Sequence, residues 1–79
     1  MASTLDNLGL LFRAQGRFSE AEPFFRRALA IDEKALDSND PKVAEIAENL
    51  ASDLRKLGRD EETKVYEDQA VRVRAKEHK

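Results

Sequence analysis

The sequence has no cysteine and no tryptophan, and among its 79 residues there are only three glycines, two prolines and five aromatic rings. Without cysteine there is no disulfide framework, no thiolate metal site and no thiol nucleophile. So short a chain with so few rings does not suit a sandwich or barrel core. No apolar run approaches the roughly 20 residues that a membrane span requires. The start, Met1-Ala2-Ser3-Thr4, lacks the basic-then-apolar pattern of a secretory signal. An excess of one charge is missing too. The 14 basic and 16 acidic residues give a net charge of −2 with the signs interspersed, so no single-sign field draws in nucleic acid or an anionic membrane. The one histidine, His78, stands next to the C-terminal residue, and no nucleophile–base pair, Gly-rich phosphate loop or metal-ligand spacing is visible. These absences argue against an enzyme, a metal and a cofactor. The expectation is a soluble, cytoplasmic protein.

What is present is charge and periodicity. Charged residues make up 38% of the chain, well above the usual quarter, and hydrophobic residues 41%. That balance suits amphipathic helices with one narrow apolar face. The apolar residues are periodic rather than sparse, which argues against disorder.

The chain also repeats. Gly16-Arg17 and Gly58-Arg59 lie 42 positions apart, and sliding the chain on itself by 42 gives nine identical pairs among 37. They include Asn7/Asn49, Leu8/Leu50, Arg13/Arg55, Glu20/Glu62 and Ala28/Ala70. Each repeat reads as two helices. Leu5, Leu8, Gly9, Leu11 and Phe12 are spaced for a helix over about 3–15, with Ser3 and Asp6 as a capping box and Gly16 as its left-handed stop. Ser19 is the expected N-cap of the second helix, with Pro23 in its first turn and Ala21, Phe24, Phe25, Ala28, Leu29, Ile31 and Leu36 on its apolar side. Asp37-Ser38-Asn39-Asp40-Pro41 is the clear loop. Asp40 caps the third helix, which carries Val43, Ile46, Ala47, Leu50, Ala51, Leu54 and Leu57 and ends at Gly58. Asp60 caps the fourth and most polar helix, with Val65, Tyr66, Ala70 and Val73 inward. The reading is all-α: four antiparallel helices forming two tandem hairpins in one domain over 1–79, with repeat 1 at about 1–37, a linker at 37–41 and repeat 2 at about 42–79.

The residues Leu5, Leu8-Gly9, Phe12, Ala21, Phe25 and Ala28 resemble the tetratricopeptide repeat pattern of large, small and aromatic positions. In the second copy, Ala47, Leu50-Ala51, Leu54, Thr63, Glu67 and Ala70 occupy the same places, with Thr63 and Glu67 departing from it. Ordinary members repeat at about 34 residues. The 42-residue period and Ala14-Gln15-Gly16-Arg17-Phe18 look like the kinesin light chain form of the repeat. The resemblance implies a superhelical scaffold that holds a protein or peptide in a concave groove lined by the first helix of each repeat. Carried over position by position, the groove residues are Asn7, Leu10 and Arg13, and Asn49, Ser52 and Arg55, flanked by Ser3, Asp6, Glu45 and Glu48. An Asn amide both donates and accepts, so it can clamp a peptide backbone, and Arg13 and Arg55 could pair with acidic groups. The alternative readings are an Asn bonding across the repeats and Arg residues pairing with nearby Glu. Leu10 reads as apolar on a solvated face.

Repeat arrays usually need at least three repeats to be stable. Two alone leave Leu10 and Leu11 uncovered. A homodimer is the expected consequence, stacked end to end or exchanging hairpins through the Asp37–Pro41 loop. A fragment of a longer array and a monomer of low stability are the other two readings.

Overall fold

A computed structural model describes residues 2–35 and 40–77, with the side chains of residues 2, 3, 76 and 77 outside that set. The chain forms α1 (Ala2–Ala14), α2 (Phe18–Ala35), α3 (Pro41–Lys56) and α4 (Asp60–Glu77), with no strand among the described residues. Each helix packs on the next, and α1 reaches α3 only along an edge. The expected linker at 37–41 is described only at Asp40 and Pro41. Leu36, His78 and the side chain of Ser3 lie outside the described residues.

Both hairpins turn in the same way. Gly16 and Gly58 adopt φ +77° and +76°, the left-handed region that other residues enter at a cost. The Gly58 N–H donates to the Arg55 carbonyl at 3.0 Å and the Arg59 N–H to Leu54 at 3.0 Å. Gly16 and Arg17 donate to Arg13 and Phe12 at 2.9 Å each. These paired bonds satisfy the last carbonyls of α1 and α3. Asp40 caps α3 as expected: its carboxylate accepts from the Lys42 N–H at 2.9 Å, and Pro41 opens the helix.

Three helix starts differ from the sequence reading. After the glycine turn no spare residue remains, so α2 begins at Phe18, and the Arg17 carbonyl accepts from the Ala21 N–H at 3.0 Å. Ser19 is therefore inside the helix, and Pro23 is beyond the first turn. The N–H that Pro23 lacks would have served Ser19, and both residues are exposed, so water can reach that carbonyl. Likewise Asp60 is the first residue of α4, and the Arg59 carbonyl accepts from Thr63 at 3.0 Å. In α1 the helix already runs from Ala2, and the Asp6 carboxylate accepts from Asn49 of α3; the capping box expected with Ser3 involves a side chain outside the described residues.

The core lies at the centre of the helix series. Ala21, Phe25 and Ala28 of α2 and Val43, Ala44, Ala47, Leu50 and Leu54 of α3 are fully buried, and Ala70 and Val73 of α4 join them. Leu5, Leu10, Phe12, Ile31 and Tyr66 are partly buried and pack against this cluster, so Leu10 meets the chain's own core. The rings of Phe12 and Phe24 stack with centroids 5.3 Å apart. Thr63, where the first repeat has Ala21, is buried because its hydroxyl donates to the Arg59 carbonyl at 2.9 Å. Val65, expected inward, is 58% exposed. It occupies the place that exposed Pro23 holds in α2, outside the stripe of Thr63, Ala70 and Val73.

Candidate binding groove

The first helices of the two hairpins, α1 and α3, lie side by side through one residue. The Asn49 amide donates from Nδ2 to Asp6 Oδ1 at 3.3 Å, and its backbone carbonyl accepts from Arg13 Nη1 at 3.5 Å. Arg13 also lies over the Phe25 ring, 5.8 Å from the centroid. Burial raises the Asp6 carboxyl above its ordinary value, and the bond from Asn49 works in the opposite direction. Asn49 thus joins two helices from different repeats.

The other groove residues are placed differently. Asn7 is exposed on α1, and Ser52 is exposed on α3. Arg55 forms an ion pair with Glu67 of α4, and Glu48 accepts from Arg74 at 2.7 and 2.8 Å. That bond holds the Glu48 carboxyl below its usual range. Ser52 and Arg55 line a shallow groove of about 470 Å³ between α3 and α4, together with Glu48, Glu67, Asp68 and Val71. Asn7, Leu10 and Arg13 belong to α1 and do not line it. The structure therefore gathers Asn49, Arg13 and Asp6 into one cluster and Ser52 and Arg55 into another.

Two features were not singled out in the sequence. The first is Asp53, fully buried on α3 with neither carboxylate oxygen hydrogen-bonded. Burial pushes its carboxyl up to about 6, opposed by the charge of Arg13 and assisted by Glu22. The second is a polar clamp between α2 and α4. Arg26 donates to Glu22 at 2.5 Å, to the Tyr66 hydroxyl at 2.9 Å and to Glu62, while Arg59 donates to Glu22 and Glu62 at 2.7 Å each. Burial works against the Arg26 charge, yet its bonds to Glu22 and Glu62 hold the guanidinium above its usual value. The recurrence of Arg17/Arg59 and Glu20/Glu62 was the signal in the sequence for this clamp. Among the described residues no group of acidic or histidine side chains could hold a metal ion, and no helix is long and apolar enough to cross a membrane.

Two stacked hairpins with small residues at their crossings and side chains tying one repeat to the next define an all-α helical-repeat protein. A family model for the tetratricopeptide repeat matches residues 1–76, and the chain belongs to that family. No curated protein matches the chain closely enough to be reported as a relative.

Proposed function

We propose that the chain is a protein-interaction scaffold that holds an extended peptide or protein segment along the face shared by α1 and α3. Tetratricopeptide repeats commonly mediate protein–protein contacts. The observation that carries the reading is the Asp6–Asn49–Arg13 cluster, which fixes α1 against α3 and so sets the spacing of exposed Asn7 and Ser52. Asn7 and Ser52 supply donors and acceptors for a peptide backbone, and Arg55 adds a cation at the rim. Asn49 serves this site by positioning. The same reading takes the chain as cytoplasmic, of the 42-residue kinesin light chain-like form, and without nucleic-acid or membrane partners.

A phage-displayed peptide library selected on the chain tests it. Enriched peptides should bind Asn7→Ala at least about tenfold more weakly while its melting temperature stays unchanged, since Asn7 is exposed. Peptides that bind Asn7→Ala, Ser52→Ala and Arg55→Ala as well as the parent chain would sink the reading, as would a selection that enriches none.

A second reading, a self-assembly module that dimerises through its outer repeat faces, draws on α1. Leu8 and Leu11 are 36% and 54% exposed, whereas Leu50 and Asp53, at the same places in α3, are buried. Light scattering after size exclusion would then give a mass that rises with concentration, and Leu11→Glu would abolish the rise.

A further inference from the structure

The junction between the two hairpins shows what the outer face of a first hairpin is built to meet. On the α2 side stand Leu29, 5% exposed, and the pair Glu22-x-x-x-Arg26. On the other side stand buried Leu50 of α3, Arg59 just before α4, and Glu62 and Tyr66 in its first two turns. Arg59 meets Glu22, Glu62 meets Arg26, and the Tyr66 hydroxyl accepts from Arg26, whose guanidinium lies 5.6 Å from the ring centroid. An apolar strip and two crossed charge pairs thus define the fit.

The first repeat carries the gripping half of this junction on its outer side. Counting back 42 residues, Leu50, Arg59, Glu62 and Tyr66 become Leu8, Arg17, Glu20 and Phe24. Arg17 and Glu20 bond each other at 2.7 and 2.8 Å, in the geometry of Arg59 and Glu62, and both are about half exposed. The exposed described residues of α1 (Thr4, Asn7, Leu8, Leu11 and Ala14) carry no charge in a chain that is 38% charged.

The gripped half is not repeated. Counting forward from Glu22 and Arg26 gives Lys64 and Asp68, the same spacing with the signs exchanged. Both are exposed on α4 beside Val71, which is 67% exposed where Leu29 is covered. Were a second copy to stack on this face as α3 and α4 stack on α2, its Arg17 would meet Lys64 and its Glu20 would meet Asp68. Such like-charge contacts disfavour a partner.

We infer that the outer face of α1, with Arg17 and Glu20, is a docking surface for another helical hairpin whose second helix carries a Glu-x-x-x-Arg pair, and that it rejects the Lys64/Asp68 face of this same chain. The exchange has a physical consequence. A head-to-tail contact between copies does not close on itself unless the rotation makes a ring, so a chain with matching faces would grow into open strings. Exchanged signs at the rim oppose that growth and leave the apolar strip for a hairpin of the right charge pattern. Asn7 lies on this face and also in the proposed groove, and Asp68 borders Ser52 and Arg55, so the test rests on charge exchange and self-association rather than on peptide binding.

Charge exchange on the full chain tests it. The Lys64→Glu/Asp68→Arg variant rebuilds the Glu-x-x-x-Arg pair, and Arg17→Glu/Glu20→Arg fits the other half to the natural Lys64 and Asp68. Each variant, followed by light scattering over a wide concentration range, should show open-ended growth in mass. Its association should be about tenfold or more tighter than the parent chain's, the effect of two rim pairs changing sign. Combining both exchanges restores like-charge contacts and should return the parent behaviour. Circular dichroism melts check that each variant is folded, and two independent variants guard against the loss of one. If folded single-face variants associate no more than the parent, or if the parent itself grows open-ended, the inference is overturned.

Discussion

Gly9 of α1 lies against the ring of Phe25: a Cβ built on it would come within 2.7 Å of Phe25 Cε1 and 2.9 Å of Cδ1 and Cζ. Phe25 is fully buried, so the ring has little room to withdraw. Gly9→Ala gains up to about 1 kcal/mol of helix propensity. The overpacking should outweigh it and leave a net loss of about 1–2 kcal/mol. Urea unfolding measures the difference. A neutral or stabilised variant would mean that the ring can swing aside. The second repeat supports the argument, because Ala51 stands at the place of Gly9 and there Glu67 replaces the ring.

Asp53 should set a pH dependence of its own. The folded carboxyl titrates at about 6, above the ordinary 3.9 or so, so the folded state holds the proton more tightly than the unfolded chain. The stability linked to this group is fully present below about pH 4 and is lost as pH rises through about 6. A gap of about two pKa units corresponds to about 3 kcal/mol as an upper figure. Asp53→Leu places there the residue that its counterpart Leu11 already is. It should raise the unfolding midpoint at neutral pH and flatten the fall between about pH 4 and about pH 7. An unchanged slope in the variant would remove Asp53 from the account.

Nothing local in the sequence distinguishes Asp53. Spacing alone marks it as one more acid in a chain rich in them, and its burial arises only when α3 seats against the first hairpin. The helices, their glycine stops and the Asp40 cap were legible because each depends on a few neighbouring residues. The starts of α2 and α4 were misread by one or two residues because the glycine turn, not the best capping side chain, decides where the next helix can begin. The role of Asn49 was open in the sequence, since an Asn on a first helix can face a ligand or a neighbouring repeat. Its bond to Asp6 spans 43 positions, a relation that local patterns do not carry. Arg55 likewise paired with Glu67 because the place held by Phe25 in the first hairpin is taken by an acid in the second.

The clamp between α2 and α4 gives the opposite pH trend. Glu22 is the most enclosed member, its side chain 15% exposed, and it accepts from both Arg26 and Arg59. Glu22→Ala should therefore cost more than Arg59→Ala, because it leaves two guanidinium groups short of an acceptor, one of them partly enclosed. A double-mutant cycle on Glu22 and Arg59 should give a coupling of about 0.5–1 kcal/mol at low salt that shrinks as salt is added, since Arg59 is 43% exposed and screened. Across the clamp, the bond from Arg26 holds the Glu62 carboxyl below its ordinary value despite some burial. A depressed carboxyl contributes stability above its unfolded pKa and loses it as pH falls through its folded one. Acidification should thus weaken this junction while it relieves Asp53. In the Asp53→Leu background the loss on raising pH should shrink to the part that Asp6 contributes, and the share of the acid-side loss that Glu62→Gln removes belongs to the clamp, the remainder falling to Glu48. A coupling indistinguishable from zero at low salt would instead mean that the two hairpins are held by the apolar strip of Leu29 and Leu50 without help from the charges above it.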